Sequence, residues 1–436
     1  MKRFFTTIKN IFSIEDLRVR IMNTIGYLII FRLGSYIVLP GIEPNALTGN
    51  QGGIFDLLNT FLGGSFSRAS IFALGIMPYI SASIVVQLLT VAVPHFTKLQ
   101  KEGDSGRKKL NQFTRVLTII ITAAQSYGYL RATLNPEAIL NPGLFFQATS
   151  VIILVSGTMF CMWLGERITD KGIGNGISML IMIGIVSRFP GALYLEATGK
   201  GMSGALLFII ELLALFFVVV GVIALTQATR RIPVQYAKQV VGNKLYGGKR
   251  DFIPLKLNSA GVMPIIFAQA LMFIPPLLAG IWRDSDIGSY VGSTFADFTS
   301  WQYNLLFAIM ILLFTFFYTA ITVPSNDIAD NLKRNGGFVP GIKPGKQTAE
   351  FIDGILSKIT LPGAIFLAAV AIMPAFAVRA GITQNFAQFY GGTSLLILVG
   401  VVLDTLQQIE SYLLMRHYEG MMKSGRVKGR SQFAAA

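Results

Sequence analysis

The 436-residue chain is 53% hydrophobic and 14% charged, with a mean hydropathy of +0.58, where an ordinary soluble domain is roughly 25% charged. An integral membrane protein is therefore expected. The net charge of +15 reflects 37 Lys and Arg against 22 Asp and Glu, and the single Cys161, in an apolar run, excludes an internal disulfide framework and reads as helix packing.

Residues 1–20 are basic and amphipathic, without the unbroken apolar core of a signal peptide. They read as a surface helix on the membrane, kept in the mature chain. Apolar segments follow at 21–38, 71–91, 116–129, 148–164, 173–186, 205–225, 262–281, 305–323, 359–378 and 394–414, which gives ten candidate spans. Assigned to alternate sides, 30 of the 37 basic residues fall on the side of both termini, and Arg32 lies inside the first span. The other side holds Arg68, Arg131, Arg188, Lys200, Arg283 and Arg379. The positive-inside rule then predicts cytoplasmic termini.

The second span is preceded by a short amphipathic piece broken by Gly63, Gly64, Ser65 and Arg68, and itself carries Gly75 and Pro78. Such breaks are tolerated at membrane depth where the freed backbone faces protein or a water-filled cavity. The start of this span, Gly75-Ile76-Met77-Pro78-Tyr79-Ile80, is matched at the seventh span by Gly261-Val262-Met263-Pro264-Ile265-Ile266. Two interrupted helices at corresponding places predict an inverted repeat: residues 21–187 and 188–414 form halves of five helices each, with a working site between them. Residues 415–436 form a basic cytoplasmic tail.

Two long loops interrupt the second half. Residues 227–258 alternate polar and apolar residues around Gly242-Asn243, the signal of a two-residue hairpin, so a basic ribbon is expected. Residues 325–358 are dense in Gly and Pro and read as a structured turn rather than a helix. Their excess positive charge suits lipid headgroups or an acidic or RNA-bearing partner.

Chemistry of the chain's own is not expected. His95 and His417 lie at cytoplasmic helix ends, and neither H-E-x-x-H nor a G-x-x-x-x-G-K-[ST] loop occurs. Arg32, Glu211, Asp404 and Glu410 are the charges within spans, and Arg32 is weighed as a buried partner of Asp404. Isoleucines, by contrast, mark the interrupted helices. Ile76 and Ile80 share one helical face, as do Ile177 and Ile181 in an unusually short fifth span after Gly172, Gly174 and Gly176. Isoleucine in a membrane helix usually serves packing; at a constriction, a collar of branched apolar side chains would exclude water and ions yet deform around a polymer. A small-solute transporter built on the same repeat is the alternative, disfavoured because isoleucines make a poor solute site.

Five motifs carry a resemblance: GGSFSRASIFALGIMPYISASIVVQLL (63–89), KEGDSGRKKLNQFTR (101–115), GTMFCMWLGERITDKGIGNGIS (157–178), FVPGIKPGKQTAEFID (338–353) and FYGGTSLLILVGVVLD (389–404). Over nearly its whole length the chain resembles the SecY family, the channel subunits of the bacterial general protein translocase. The resemblance implies an all-α membrane protein of ten transmembrane helices in two inverted five-helix halves, with a plug helix near 56–70 and a lateral gate between the second and seventh helices. It implies a non-enzymatic channel that passes unfolded polypeptides and releases hydrophobic segments sideways into the bilayer, without cofactor or metal. The pore ring would be Ile76, Ile80, Ile177, Ile181, Ile266 and Ile397. The plug would include Asp56, Leu57, Phe61, Gly63, Gly64, Ser65 and Arg68, and Gln87 would lie near the gate. Ribosome or SecA docking would fall to Lys244, Lys249, Arg250, Lys333, Arg334, Lys343 and Lys346. Implied partners are SecE, SecG, the SecA motor, the ribosome, unfolded preproteins and their signal sequences, membrane lipids, and accessory insertase or periplasmic-side subunits, in the bacterial inner membrane. The chain departs from the family at Lys343 and Asn243, where Arg is usual; Lys343 keeps the charge but loses the guanidinium fork.

Overall fold

The computed structural model describes residues 14–43, 59, 62–132, 138–140, 143–201, 204–236, 239–241, 244–246, 250–272, 290, 294–295 and 297–423. The helices are α1 (Glu15–Gly34), α2 (Met77–Ala92), α3 (Pro94–Lys101), α4 (Asp104–Ala132), α5 (Leu144–Lys171), α6 (Gly176–Lys200), α7 (Ala205–Gln227), α8 (Met263–Met272), α9 (Trp301–Thr322), α10 (Ser325–Arg334), α11 (Lys346–Arg379), α12 (Gln384–Ala387) and α13 (Gly392–Lys423). A helix lies within each of the ten apolar segments. Among the described residues, six helices are long and apolar enough to cross a membrane, or seven if the bent pair α2–α3 counts as one span.

Local chemistry sets where these helices begin and how closely they approach. Pro78 and Pro94 occupy the first turns of α2 and α3, where a missing N–H costs nothing. Asn175 caps α6 by accepting from the amides of Ile177 and Ser178 at 3.1 and 3.2 Å. On α4, Thr114, Thr118, Thr122 and Ser126 recur every fourth residue, are buried, and donate to carbonyls one turn back at 2.6–3.0 Å. Each hydroxyl is thus satisfied within its own helix, and a stripe of small side chains lets α2 and α5 approach α4 closely.

Helix adjacency repeats after five helices. In the first group α2 packs on α4, α4 on α5, α5 on α6, and α1 on both α5 and α6. In the second, α8 packs on α9, α9 on α11, α11 on α13, and α7 on both α11 and α13. The principal long contact between the groups is α6 against α13.

The two long loops form a single body. β1 (Thr229–Tyr236) pairs antiparallel with β4 (Arg250–Lys256) on one edge and with β5 (Gly337–Phe338) on the other, the last through Gln235↔Phe338 and Tyr236↔Gly337. β2 (Gln239–Val241) and β3 (Lys244–Tyr246) pair through Val241↔Lys244, the register a two-residue hairpin requires, while Gly242 and Asn243 lie outside the described residues. Ile232, Val234 and Leu255 of the sheet are buried with Leu332 of α10, Val339, and Ile352 and Leu356 of α11. An apolar core therefore joins the loops to the first turns of α11.

Several boundaries differ from those expected. Residues 62–76 are successive turns, and α2 starts only at Met77. Of the expected plug helix Asn59 is helical, whereas residues 62–70 are not, because Gly63 and Gly64 take positive φ. The fifth span is not short: α6 runs through Arg188 and Pro190 to Lys200. In the second loop the turn covers only 335–345, since residues 325–334 and those from Lys346 onward are helical.

Candidate functional site

The six isoleucines come together. Ile76, at the N-cap of α2, together with Ile80, Ile181 of α6 and Ile397 of α13, is buried in one apolar cluster, and Ile177 of α6 and Ile266 of α8 pack against it half-buried. Where α2, α6, α8 and α13 meet, a void of about 20 Å³ is lined by Met77, Ile80, Ser81, Ile84, Ile181, Ile266, Gln269 and Ile397. It is roughly the size of one water and nearly all its walls are apolar. A water inside would find few of the partners it needs.

The glycine-rich turn before α6 fixes where Ile177 and Ile181 point. A Cβ on Gly176 would stand 1.9 Å from the Gly165 carbonyl oxygen, so only glycine lets α6 start against α5. Around it, Arg20 Nη1 donates to the Gly172 carbonyl at 3.2 Å, the Ile173 amide donates to Thr24 Oγ1 at 3.0 Å, and the Gly174 amide donates to Gln408 Oε1 at 2.8 Å. α1 and α13 hold the turn from both sides.

The segment before α2 packs mostly into a neighbouring apolar cluster, through Leu62, Phe66, Ala69, Ala73 and Leu74, while Ile71 and Phe72 join this one. Asp56, Leu57 and Phe61 lie outside the described residues; Gly63, Gly64 and Ser65 are buried and Arg68 is half-buried. Its rear is anchored: the Leu39 amide donates to Ala69 O and the Ile71 amide to Ile37 O, both at 2.9 Å, and the Tyr129 hydroxyl donates to Phe66 O at 2.7 Å. Both Arg32 and Arg68 donate to the Gly63 carbonyl, each at 2.9 Å. Burial lowers the pKa of Arg68 from its ordinary value; Arg32 pushes the same way and Tyr36 opposes.

These features can be set beside known proteins. Residues 70–406 match the SecY family. The protein translocase subunit SecY of Halalkalibacterium halodurans is 44% identical over 431 residues, covering 96% of this chain and all of that protein. The chain belongs to the SecY family. Its fold is that of solved protein-conducting channels at 16% identity. One such structure superposes with a TM-score of 0.62, and a SecY whose plug domain stabilises the closed state and maintains a membrane seal with 0.60, each covering 90% of this chain and 92% of the other. Sec61 in the canine ribosome–channel complex gives 0.57 over the same shares.

In this SecY-family chain the candidate docking residues cluster on the sheet body. Arg250, Lys333, Arg334, Lys343 and Lys346 are exposed there; Lys244 lies on β3, and Lys249 is outside the described residues. Gln87 is half-buried on α2. The charges within spans resolve differently from expectation. Asp404 is exposed and does not pair with Arg32, whose guanidinium goes to a backbone carbonyl instead; Glu410 is exposed as well. Glu211 is buried and takes the ammonium of Lys200, which also meets Glu196 at 2.9 Å. Glu196 in turn accepts from the amide of Thr383 at 3.0 Å and from its hydroxyl. Glu211 was visible in the sequence as a charge within a span, but its sharing of Lys200 with Glu196 was not. Its one signal is the i, i+4 spacing of Glu196 and Lys200, which marks helix where a loop was expected.

Proposed function

We propose that the chain is the channel subunit of a bacterial protein translocase, passing unfolded polypeptides across the inner membrane and releasing hydrophobic segments sideways into the bilayer. One observation carries the reading: six isoleucines from α2, α6, α8 and α13 share one apolar cluster between the two repeated helix groups, and four of them, Ile80, Ile181, Ile266 and Ile397, line a single apolar void. Such a collar excludes water and ions by dewetting, and it yields around a chain of any composition because it grips nothing specific. The solute-transporter alternative is poorly served, since among the described residues only Ser81 and Gln269 bring polar side chains to the void.

In this reading residues 56–70 plug the outer mouth, and the lateral gate lies between α2 and α8 with Gln87 beside it. Residues 21–187 and 188–414 are the two inverted halves, and both termini are cytoplasmic. The body of β1, β4, β5, α10 and the start of α11 presents Lys244, Lys249, Arg250, Lys333, Arg334, Lys343 and Lys346 to the ribosome or to SecA. That two loops share one core supports this, because a partner then meets a platform rather than two independent arms. SecE, SecG, accessory subunits, signal sequences and lipids complete the expected surroundings.

The test is ion flux through reconstituted protein at rest. Ile80→Asn and Ile181→Asn each place an amide in the collar and are expected to make the resting channel leak, the pair more than either alone. Unchanged flux in the pair overturns the collar.

A further inference from the structure

Arg32 is a charge near the end of a span, two residues before α1 stops at Gly34, and such a group needs a partner. Among the described residues neither Arg32 nor Arg68 has a carboxylate partner. Arg32 Nη1 instead donates to Gly63 O at 2.9 Å, its Nη2 donates to the Tyr36 hydroxyl at 3.0 Å, and its guanidinium lies 4.8 Å from the centre of the Tyr36 ring. Arg68, on the segment itself, donates to the same Gly63 oxygen at 2.9 Å and stands 4.2 Å from the same ring. One carbonyl with two lone pairs and one aromatic ring therefore serve two cations. Gly63 has φ +62°, and a Cβ there would meet Arg32 Nη1 at 2.9 Å and Gly184 Cα at 3.0 Å, so the grip requires glycine.

We propose that Arg32, Arg68 and Tyr36 are positioning residues that clamp the Gly63 carbonyl and hold the segment before α2 in its closed place. The inference rests on reading that segment as the plug. Arg32 and Tyr36 belong to α1 and the turn after it, whereas Gly63 and Arg68 travel with the segment. The clamp thus joins the body of the protein to the part that moves. It is built to let go: when the segment leaves, Arg32 gives up its acceptor while Arg68 goes with Gly63, and the like charge of the two guanidiniums favours their separation. The Val38↔Ser70 bridge lies on the α2 side of the clamp and forms the natural pivot.

The test reads displacement of the segment directly. Ser65 and Cys161 are both fully buried, so in the full-length chain with Ser65→Cys, labelling by a membrane-impermeant maleimide reports outward movement against no background from Cys161. Arg32→Gln, Arg68→Gln and Tyr36→Ala are each expected to speed labelling about tenfold, the loss of one charge-assisted hydrogen bond or of the shared ring. Arg32→Lys, which keeps the charge but not the fork, falls between. Tyr36 is 55% exposed, so Tyr36→Ala leaves the core intact and decides the question if Arg32→Gln fails to fold. Labelling at the parental rate in Tyr36→Ala and Arg68→Gln overturns the clamp. A variant lacking residues 60–68 separates this from the underlying reading: if it holds an ion gradient as well as the parent, the plug reading falls, while the clamp is still judged by the labelling rates.

Discussion

Along α6 and α13 the two helix groups are tied by polar contacts at both ends. At one end the Gly174 amide donates to Gln408 at 2.8 Å; at the other Glu196 of α6 accepts from Thr383, in the turn between α11 and α12. Ile181 and Ile397 fill the middle. On the far side of the void, where α2 faces α8, no hydrogen bond joins the two helices among the described residues, and Ile80, Ile84 and Ile266 line the void between them. In a bilayer this difference matters more than in water. Apolar helix contacts exchange for lipid tails or an apolar peptide at little cost, whereas a buried polar tie has no substitute there. Under the proposed function, the seam between α6 and α13 serves as the hinge, and the seam between α2 and α8 is the one expected to open.

The most severe way to break the comparison is to lock the seams one at a time. Bridging Ile84→Cys with Ile266→Cys by a short thiol cross-linker is expected to abolish transport of a signal-bearing substrate. Met179→Cys with Thr405→Cys is the matched pair across the other seam, since a Cβ on Gly174 would lie 3.1 Å from both side chains; cross-linking it should leave transport near normal. Equal inhibition by both would show that the halves do not turn about α6 and α13. Next in size is Lys200→Met, which leaves Glu196 and Glu211 buried without their cation. A cost of about 3–5 kcal/mol is expected, read as a lower unfolding midpoint in detergent and recovered in part by adding Glu196→Gln.

The spans were legible because a bilayer demands long apolar runs, and no fold rearranges that requirement. Their ends were not. Arg188, Pro190 and Glu196 look like loop, yet α6 continues through them because Lys200 and Thr383 supply partners for Glu196. Arg32 was visible as an anomaly, but its acceptor is the carbonyl of Gly63, and a backbone oxygen has no signature in the sequence. Asp404 was the side-chain partner weighed for Arg32 in the sequence. The hairpin across Val241 and Lys244 was local and readable, whereas the pairing of β1 with β5 joins two-residue stretches about a hundred positions apart. Ile80 and Ile181 stood out through helical spacing next to breaks; Ile266 stood out only as the counterpart of Ile80 in the repeated motif, and its place in the ring, like that of Ile397, came through the family resemblance.

Gln408→Leu tests the hinge more gently. It leaves the Gly174 amide without its acceptor and should cost about 1 kcal/mol, while Gln408→Glu keeps an acceptor and should cost less; unfolding midpoints of the two variants check the order. The smallest expected effect lies away from both seams. Arg115 Nη2 meets both carboxylate oxygens of Glu166 at 2.8 Å and ties α4 to α5 within one helix group, with both side chains partly exposed. Arg115→Lys keeps the charge and loses the fork, for roughly 0.5 kcal/mol. Because the contact crosses neither seam, resting ion flux and transport should stay at parental levels even as the midpoint drops slightly. A gate that opened more readily in Arg115→Lys would mean that strain inside one group reaches the seam between α2 and α8, and the two groups could then not be treated as rigid bodies turning on α6 and α13.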